Sequence, residues 1–256
     1  MASKAILKGR LRTIGFLVLS FPFVPLLAQD ANSLVVHAKQ LEHRGQTDAA
    51  IVELKEADNL SPDNPLIQKV LARQYIAKVD DVADTAGKKQ YAQMALDLAQ
   101  KALDKLPQDS EAQLGAAAAY GKSCDFVDSK TKVEYSKKIY AEATVGLQLD
   151  PSSDFGHLIL AKWNLGMATV NPVVKGMAQV LYGQLPDASK EAAIYHFKKA
   201  IELAPQRIIH HAEYAHALDL MGDKEGARLQ WMEVAGLRPI YEQDQRYQAS
   251  AAKHLR

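Results

Sequence analysis

One cysteine, Cys124, stands in 256 residues. No internal disulfide can form, and a four-thiolate metal site is excluded. Proline (10) and glycine (14) are scarce and aromatics reach only 7%, so little interrupts the chain. Ala, Leu, Lys, Glu and Gln fill the space, and these side chains lose little rotamer freedom in a helix. The composition therefore predicts an all-α protein. Neither charge is in excess, with 31 basic and 30 acidic residues, so there is no electrostatic footprint for nucleic acid. The phosphate-cradling G-x-x-x-x-G-K loop, the dinucleotide fingerprint, the G-x-S-x-G elbow and C-x-x-C are all missing. No cofactor is implied. What is present is 48% hydrophobic content, enough for a packed core.

The first 28 residues differ from the rest. Lys4, Lys8, Arg10 and Arg12 precede the apolar run Ile14–Leu27, and Ala28 offers a small residue at a cleavage point. This order predicts a secretory signal peptide over 1–28 and export to the periplasm or beyond. The run is short for a membrane span and holds Pro22 and Pro25; retained, it would make the protein a membrane-tethered adaptor. Cleavage removes four positive charges and no negative ones, taking the formal charge from +1 to −3. Residues 29–256 then form one helical domain.

That domain repeats itself. A small residue and a proline five positions later recur as Ala57/Pro62, Ala102/Pro107, Gly146/Pro151, Ala200/Pro205 and Val234/Pro239. Three residues before each small one stand Leu54, Ala99, Ala143, Phe197 and Trp231, and seven before it Ala50, Ala95, Ile139, Ala193 and Ala227. Offsets of three and seven put these side chains on one helical face. Upstream of each helix lies an apolar partner with its own small residue: Ala38, Ala72, Ala117, Ala161 and Ala215. Small residues on facing helices let backbones approach closely, as in an αα-hairpin.

The unit resembles the tetratricopeptide repeat (TPR), whose marks stand as Gly45, Ala50 and Pro62 in the first repeat and Gly222, Ala227 and Pro239 in the fifth. The resemblance covers Ala31–Pro239 and implies an α–α superhelix of five helix pairs, with a final helix, Gln245–Leu255, capping it. Against the 34-residue TPR unit, the proline spacings of 45, 44, 54 and 34 leave excesses in repeats two to four. Those residues are expected between the helices of each pair, at Val79–Lys88, Ser123–Thr131 and Thr169–Ser189. The longest carries Val173, Met177, Val180 and Leu181 on one face, predicting an amphipathic helix that packs back on the array or docks a partner. Asp154, His157, Trp163, Gly166, Ala178, Leu181, Tyr182, Pro186 and Ala188 further resemble the regulator of microtubule dynamics family, over Lys130–Leu255. That family implies a TPR-like fold and an adaptor-like role.

Several residues could carry chemistry. Asp154 and His157, three apart on one helix, could form an acid–base pair, but no recognisable nucleophile motif accompanies them. Asp154 is expected as a helix cap, with His157 packed in the hairpin. Asp154, His157 and Trp163 would anchor the long insert, and a pocket under 167–186 would make a small-ligand binder or enzyme. His210, His211 and His216 lack metal-ligand spacing; they are expected on a solvated or partner-facing surface, and no metal is predicted. One position per repeat, after the small residue of each first helix, reads Lys39, Arg73, Ala118, Lys162 and His216. The TPR resemblance places this line in the concave groove, with Lys69 a turn before Arg73. Such cations favour an acidic peptide or terminal carboxylate. The family's carboxylate clamp has asparagine at two of these places, and this chain has none there. The expected protein is thus a non-enzymatic scaffold for a protein or peptide.

Overall fold

The computed structural model describes residues 26–256. The leader over 1–28 and its apolar run lie outside these residues except at their last few positions. Five helix pairs follow one another: α1 (Leu26–His43) with α2 (Thr47–Leu60), α3 (Pro65–Asp81) with α4 (Thr85–Lys105), α5 (Ser110–Ser123) with α6 (Ser129–Leu149), α7 (Asp154–Thr169) with α9 (Lys190–Leu203), and α10 (Ile208–Met221) with α11 (Lys224–Gly236). Helix α8 (Pro172–Tyr182) interrupts the fourth pair, and α12 (Glu242–His254) ends the array. The architecture is an α–α superhelical solenoid.

The boundaries follow from local chemistry. The side chains of Asn64, Asp84, Asp109, Ser153, Ser189 and Asp223 accept backbone N–H groups at helix starts, satisfying donors with no intrahelical partner. Proline stands two residues past the ends of α2, α4, α6 and α9, where it forbids continuation. Gly222, at φ 89°, closes α10 in the left-handed conformation.

Both predicted rows of small residues are buried: Ala38, Ala72, Ala117, Ala161 and Ala215 on the first helices and Ala57, Ala102, Gly146, Ala200 and Val234 on the second. Two helices approach closely at Gly146. A Cβ there would lie 2.6 Å from Leu114 Cδ2 and 3.4 Å from Gln113 Cβ. Gly146→Leu is therefore expected to cost ~1–3 kcal/mol through overpacking. Gly166→Ala, with nothing within 4 Å of its Cβ position, is expected to be neutral or slightly stabilising through helix propensity. Urea unfolding of the two variants checks the contrast.

The excess residues of repeats two and three do not form projecting loops. They lengthen the helices: α3 has 17 residues and α4 and α6 have 21 each. Between α3 and α4 only 82–84 remain outside a helix, and a 3-10 turn, Cys124–Phe126, links α5 towards α6. The polar stretch around Asp80 hides an apolar seam. Val79 and Ala92 are buried and Tyr75 meets Tyr91 at 5.8 Å, so each helix gains by running on.

Candidate peptide-binding face

The first helices of successive pairs touch: α1 with α3, α3 with α5, α5 with α7, α7 with α10 and α10 with α12. The second helices have no comparable contacts among the described residues. The first helices therefore form the inner wall of the curve.

The predicted basic line lies on this wall, but acids accompany it. Arg73 Nη2 donates to Glu42 at 2.7 Å, and Lys69 Nζ reaches Asp109 at 2.9 Å and Glu111 at 3.0 Å. Lys39 is exposed on α1 and its charge also acts on Glu111. Burial pushes the Glu111 carboxyl up, but the Lys69 hydrogen bond and the charges of Lys69, Arg73 and Lys39 outweigh it and hold it below its usual value. Lys162 Nζ meets Glu213 at 2.8 Å. His216 stands edge-on to the Trp231 ring at 4.6 Å, and burial lowers its pKa despite Glu213 nearby. The wall is thus a mixed-charge ladder. The acids could have been found in the sequence: Glu42 and Glu213 stand three residues from Lys39 and His216, and Glu111 seven from Ala118, all helical-face offsets.

Helix α12 adds residues that the repeat pattern missed. It occupies the place of a sixth first helix against α10 and α11. Asp244 Oδ2 accepts the backbone N–H groups of Ile240 and Tyr241, fixing its start. Ala251 is buried and Tyr247 packs into the core, while Leu255 is exposed. Arg246 then reaches α3, donating to the Asp80 carbonyl at 2.7 Å and to Asp81 Oδ1 at 2.8 Å. Tyr247 donates to Glu213 at 3.3 Å; burial first, then the Glu213 and Asp80 charges, raises its pKa. The inner face is bridged from the last helix back to the second pair.

The three residues expected to anchor the insert take partners on α6, α9 and α10. Trp163 Nε1 donates to the Ser136 carbonyl at 2.8 Å and its ring meets Tyr140 at 4.6 Å. Asp154 is not the cap, because Ser153 is. Its Oδ2 lies 2.7 Å from His210 Nε2, and an ionised carboxylate requires the hydrogen on that nitrogen. Burial pushes the Asp154 carboxyl up, but His210 and Arg207 outweigh it and the net shift is downward. His210 and His211 are buried, which corrects the expected solvated surface for these two, His211 bonding Gln230 and the Pro205 carbonyl; His216 is exposed, as expected. His157 faces His196, Nδ1 to Nδ1 at 2.9 Å. A shallow cavity of about 250 Å³ beside it is lined by Leu147, Pro151, His157, Tyr195, Lys199 and Leu203, none of them from 167–186. Among the described residues, no group of three or more metal-ligating side chains converges.

The family described as Regulator of microtubule dynamics protein 1-3 matches residues 34–256. The chain belongs to the regulator of microtubule dynamics family. The Homo sapiens protein 2 of this family is 25% identical over 134 residues, 52% of this chain. The match spans only a third of that relative's length, at 33%. A thermophilic TPR protein of Thermus thermophilus superimposes with a TM-score of 0.64 over 88% of this chain and 98% of its own, at 16% identity. PilF of Pseudomonas aeruginosa follows at 0.51, over 90% and 91%, at 14% identity. These likenesses establish the TPR-like solenoid, and the family match reaches the end of the chain, taking in α12 and its bridge to α3.

Proposed function

We propose that this family member is an exported, non-catalytic adaptor that holds an extended peptide or partner segment along its inner wall. One observation carries the reading: Lys39 on α1, Lys69 and Arg73 on α3 and Lys162 on α7 line the inner wall, and Lys69, Arg73 and Lys162 each pair with an acid of the same wall. A ligand carboxylate can replace Glu42, Glu111 or Glu213 on its cation, and the displaced glutamate is then hydrated at the open wall, so an acidic segment is accommodated at modest electrostatic cost. The export reading rests on the leader pattern over 1–28, and the mass of the mature chain tests it against a tethered form.

The decisive experiment is an affinity pull-down from the native envelope with the wild type and with Arg73→Glu/Lys162→Glu. Both positions are partly exposed, so the fold should tolerate the change. The expected result is a specific partner retained by the wild type and weakened at least about tenfold in the variant. An unchanged partner list would remove the inner wall as the binding face.

A further inference from the structure

Helix α8 is inside out. Lys175, Gly176, Gln179 and Tyr182 turn towards the array and are partly covered, and Lys137 of α6 donates to the Tyr182 carbonyl at 2.6 Å. Val173, Val174, Met177, Val180 and Leu181 turn to solvent, each 56–86% exposed. At 100° per residue these five share a stripe about 120° wide. No residue of α8 is buried. Exposed apolar side chains elsewhere are scattered, such as Val52 on α2 and Leu220 on α10, which is normal for a surface. Five on eleven residues are not scattered. This overturns the expectation that the helix packs back on the array and leaves the docking reading.

The surroundings say what covers it. Between Thr169 and Gly183 the one charge is Lys175. The adjoining first half of α6 adds Lys130, Lys132, Lys137 and Lys138 against Glu134. Asp125, which pairs with Lys132 at 3.8 Å, and Asp128, which accepts the backbone N–H groups of Lys130 and Thr131, bring the edge to five lysines against three acids. This edge is positive in a chain whose formal charge is only +1. Pairing with a second copy through the stripe would bury roughly 500 Å² per chain, below the ~800 Å² of a standard interface. The stripe also lacks the Trp, Tyr and Arg that anchor protein interfaces. Eleven residues, about 16 Å long, cannot span a bilayer but suit a helix lying in its surface.

We propose that α8 docks the array on an anionic lipid surface, its stripe among the acyl chains and Lys130 and Lys132 at the start of α6 at the headgroups, while Lys137 and Lys138 hold the Tyr182 carbonyl and the Tyr120 hydroxyl. The inference goes beyond the adaptor reading, because it concerns the opposite end of α7 from the Asp154–His210 contact and does not depend on any peptide. The test uses the full chain as Cys124→Ser/Val180→Cys, carrying an environment-sensitive fluorophore at residue 180. A second chain, Cys124→Ser/Leu229→Cys, carries it on α11. The position-specific label separates α8 from any lipid contact by Ile14–Leu27. With phosphatidylcholine vesicles containing phosphatidylglycerol, the label at 180 is expected to shift blue and be quenched by brominated acyl chains, while that at 229 does neither. Val173→Glu/Val180→Glu/Leu181→Glu alters exposed positions only. With the label moved to the stripe at Met177→Cys in the Cys124→Ser chain, it is expected to weaken this response about tenfold or more. A label at 180 that stays in water beside anionic vesicles overturns the proposal, as does equal insertion into pure phosphatidylcholine. A blue shift without lipid, rising with protein concentration alongside a doubled mass, overturns it in favour of self-pairing.

Discussion

Trp231→Ala is expected to lower the unfolding free energy by ~3–5 kcal/mol, the usual range for deleting a fully buried aromatic. Trp231 is 1% exposed. Its ring stacks on His254 of α12 at 4.5 Å and meets His216 of α10 at 4.6 Å, and Nε1 donates to Asp219 at 3.2 Å. One side chain thus joins α10, α11 and α12. Stability in a solenoid is the sum of repeats and their nearest interfaces, so the loss should be local. Backbone exchange should rise in α10–α12 while α1–α4 keep their protection. Loosening α12 also releases Arg246 from Asp80 and Asp81 and opens the bridge over the inner face. Segment-resolved hydrogen exchange with urea titration checks both parts. A loss below about 1 kcal/mol, or one spread evenly along the array, would contradict the assignment of Trp231 as the local keystone.

Trp231 was legible because it stands three residues before Val234, the offset that Phe197 and Ala200 keep one repeat earlier. The two rows of small residues were legible for the same reason: close helix packing leaves no room for anything larger, so the constraint is written at a fixed spacing. The lengths of α3, α4 and α6 were not. Val79 and Ala92 lie among polar neighbours, and their burial appears only when the two helices run on side by side. Arg246 and Asp81 are far apart in the chain, and only the curvature of the whole array brings them together. For α8 the periodicity marked a stripe but not its direction, because facing inward or outward depends on what the neighbouring helices offer. The basic line was visible but read by one sign alone; its acids follow the same helical offsets, and together they turn a cationic groove into an exchangeable ladder.

Acidification from pH 7 to about pH 4 is expected to destabilise the array through His196, and His196→Phe is expected to remove most of that limb. His196 lies in the repeat helix α9, where burial first, and the charge on His157 second, lowers its pKa to about 4. Burial lowers His157 as well, with Lys199 adding to it and Glu202 and Asp154 opposing. In the unfolded chain a histidine titrates near its ordinary value of about 6.5. Between the two values the unfolded state binds the proton and the folded state does not. Stability is therefore full above about pH 6.5 and falls as the pH drops towards 4. A displacement of this size corresponds to about 2–3 kcal/mol after allowing for partial solvent contact. Asp154 acts lower: its depressed carboxyl stabilises above the ordinary carboxylate range and loses that contribution as pH falls through its own lowered value. His216, also lowered by burial, leaves a residual slope in the variant. Urea midpoints for wild type and His196→Phe at pH 7, 5.5 and 4.5 separate these windows. Phenylalanine can fill the ring's place but not bond His157 Nδ1, so the variant should start lower at pH 7 and fall less steeply. Parallel curves for the two proteins would show that the His157–His196 contact does not hold its proton balance in the fold.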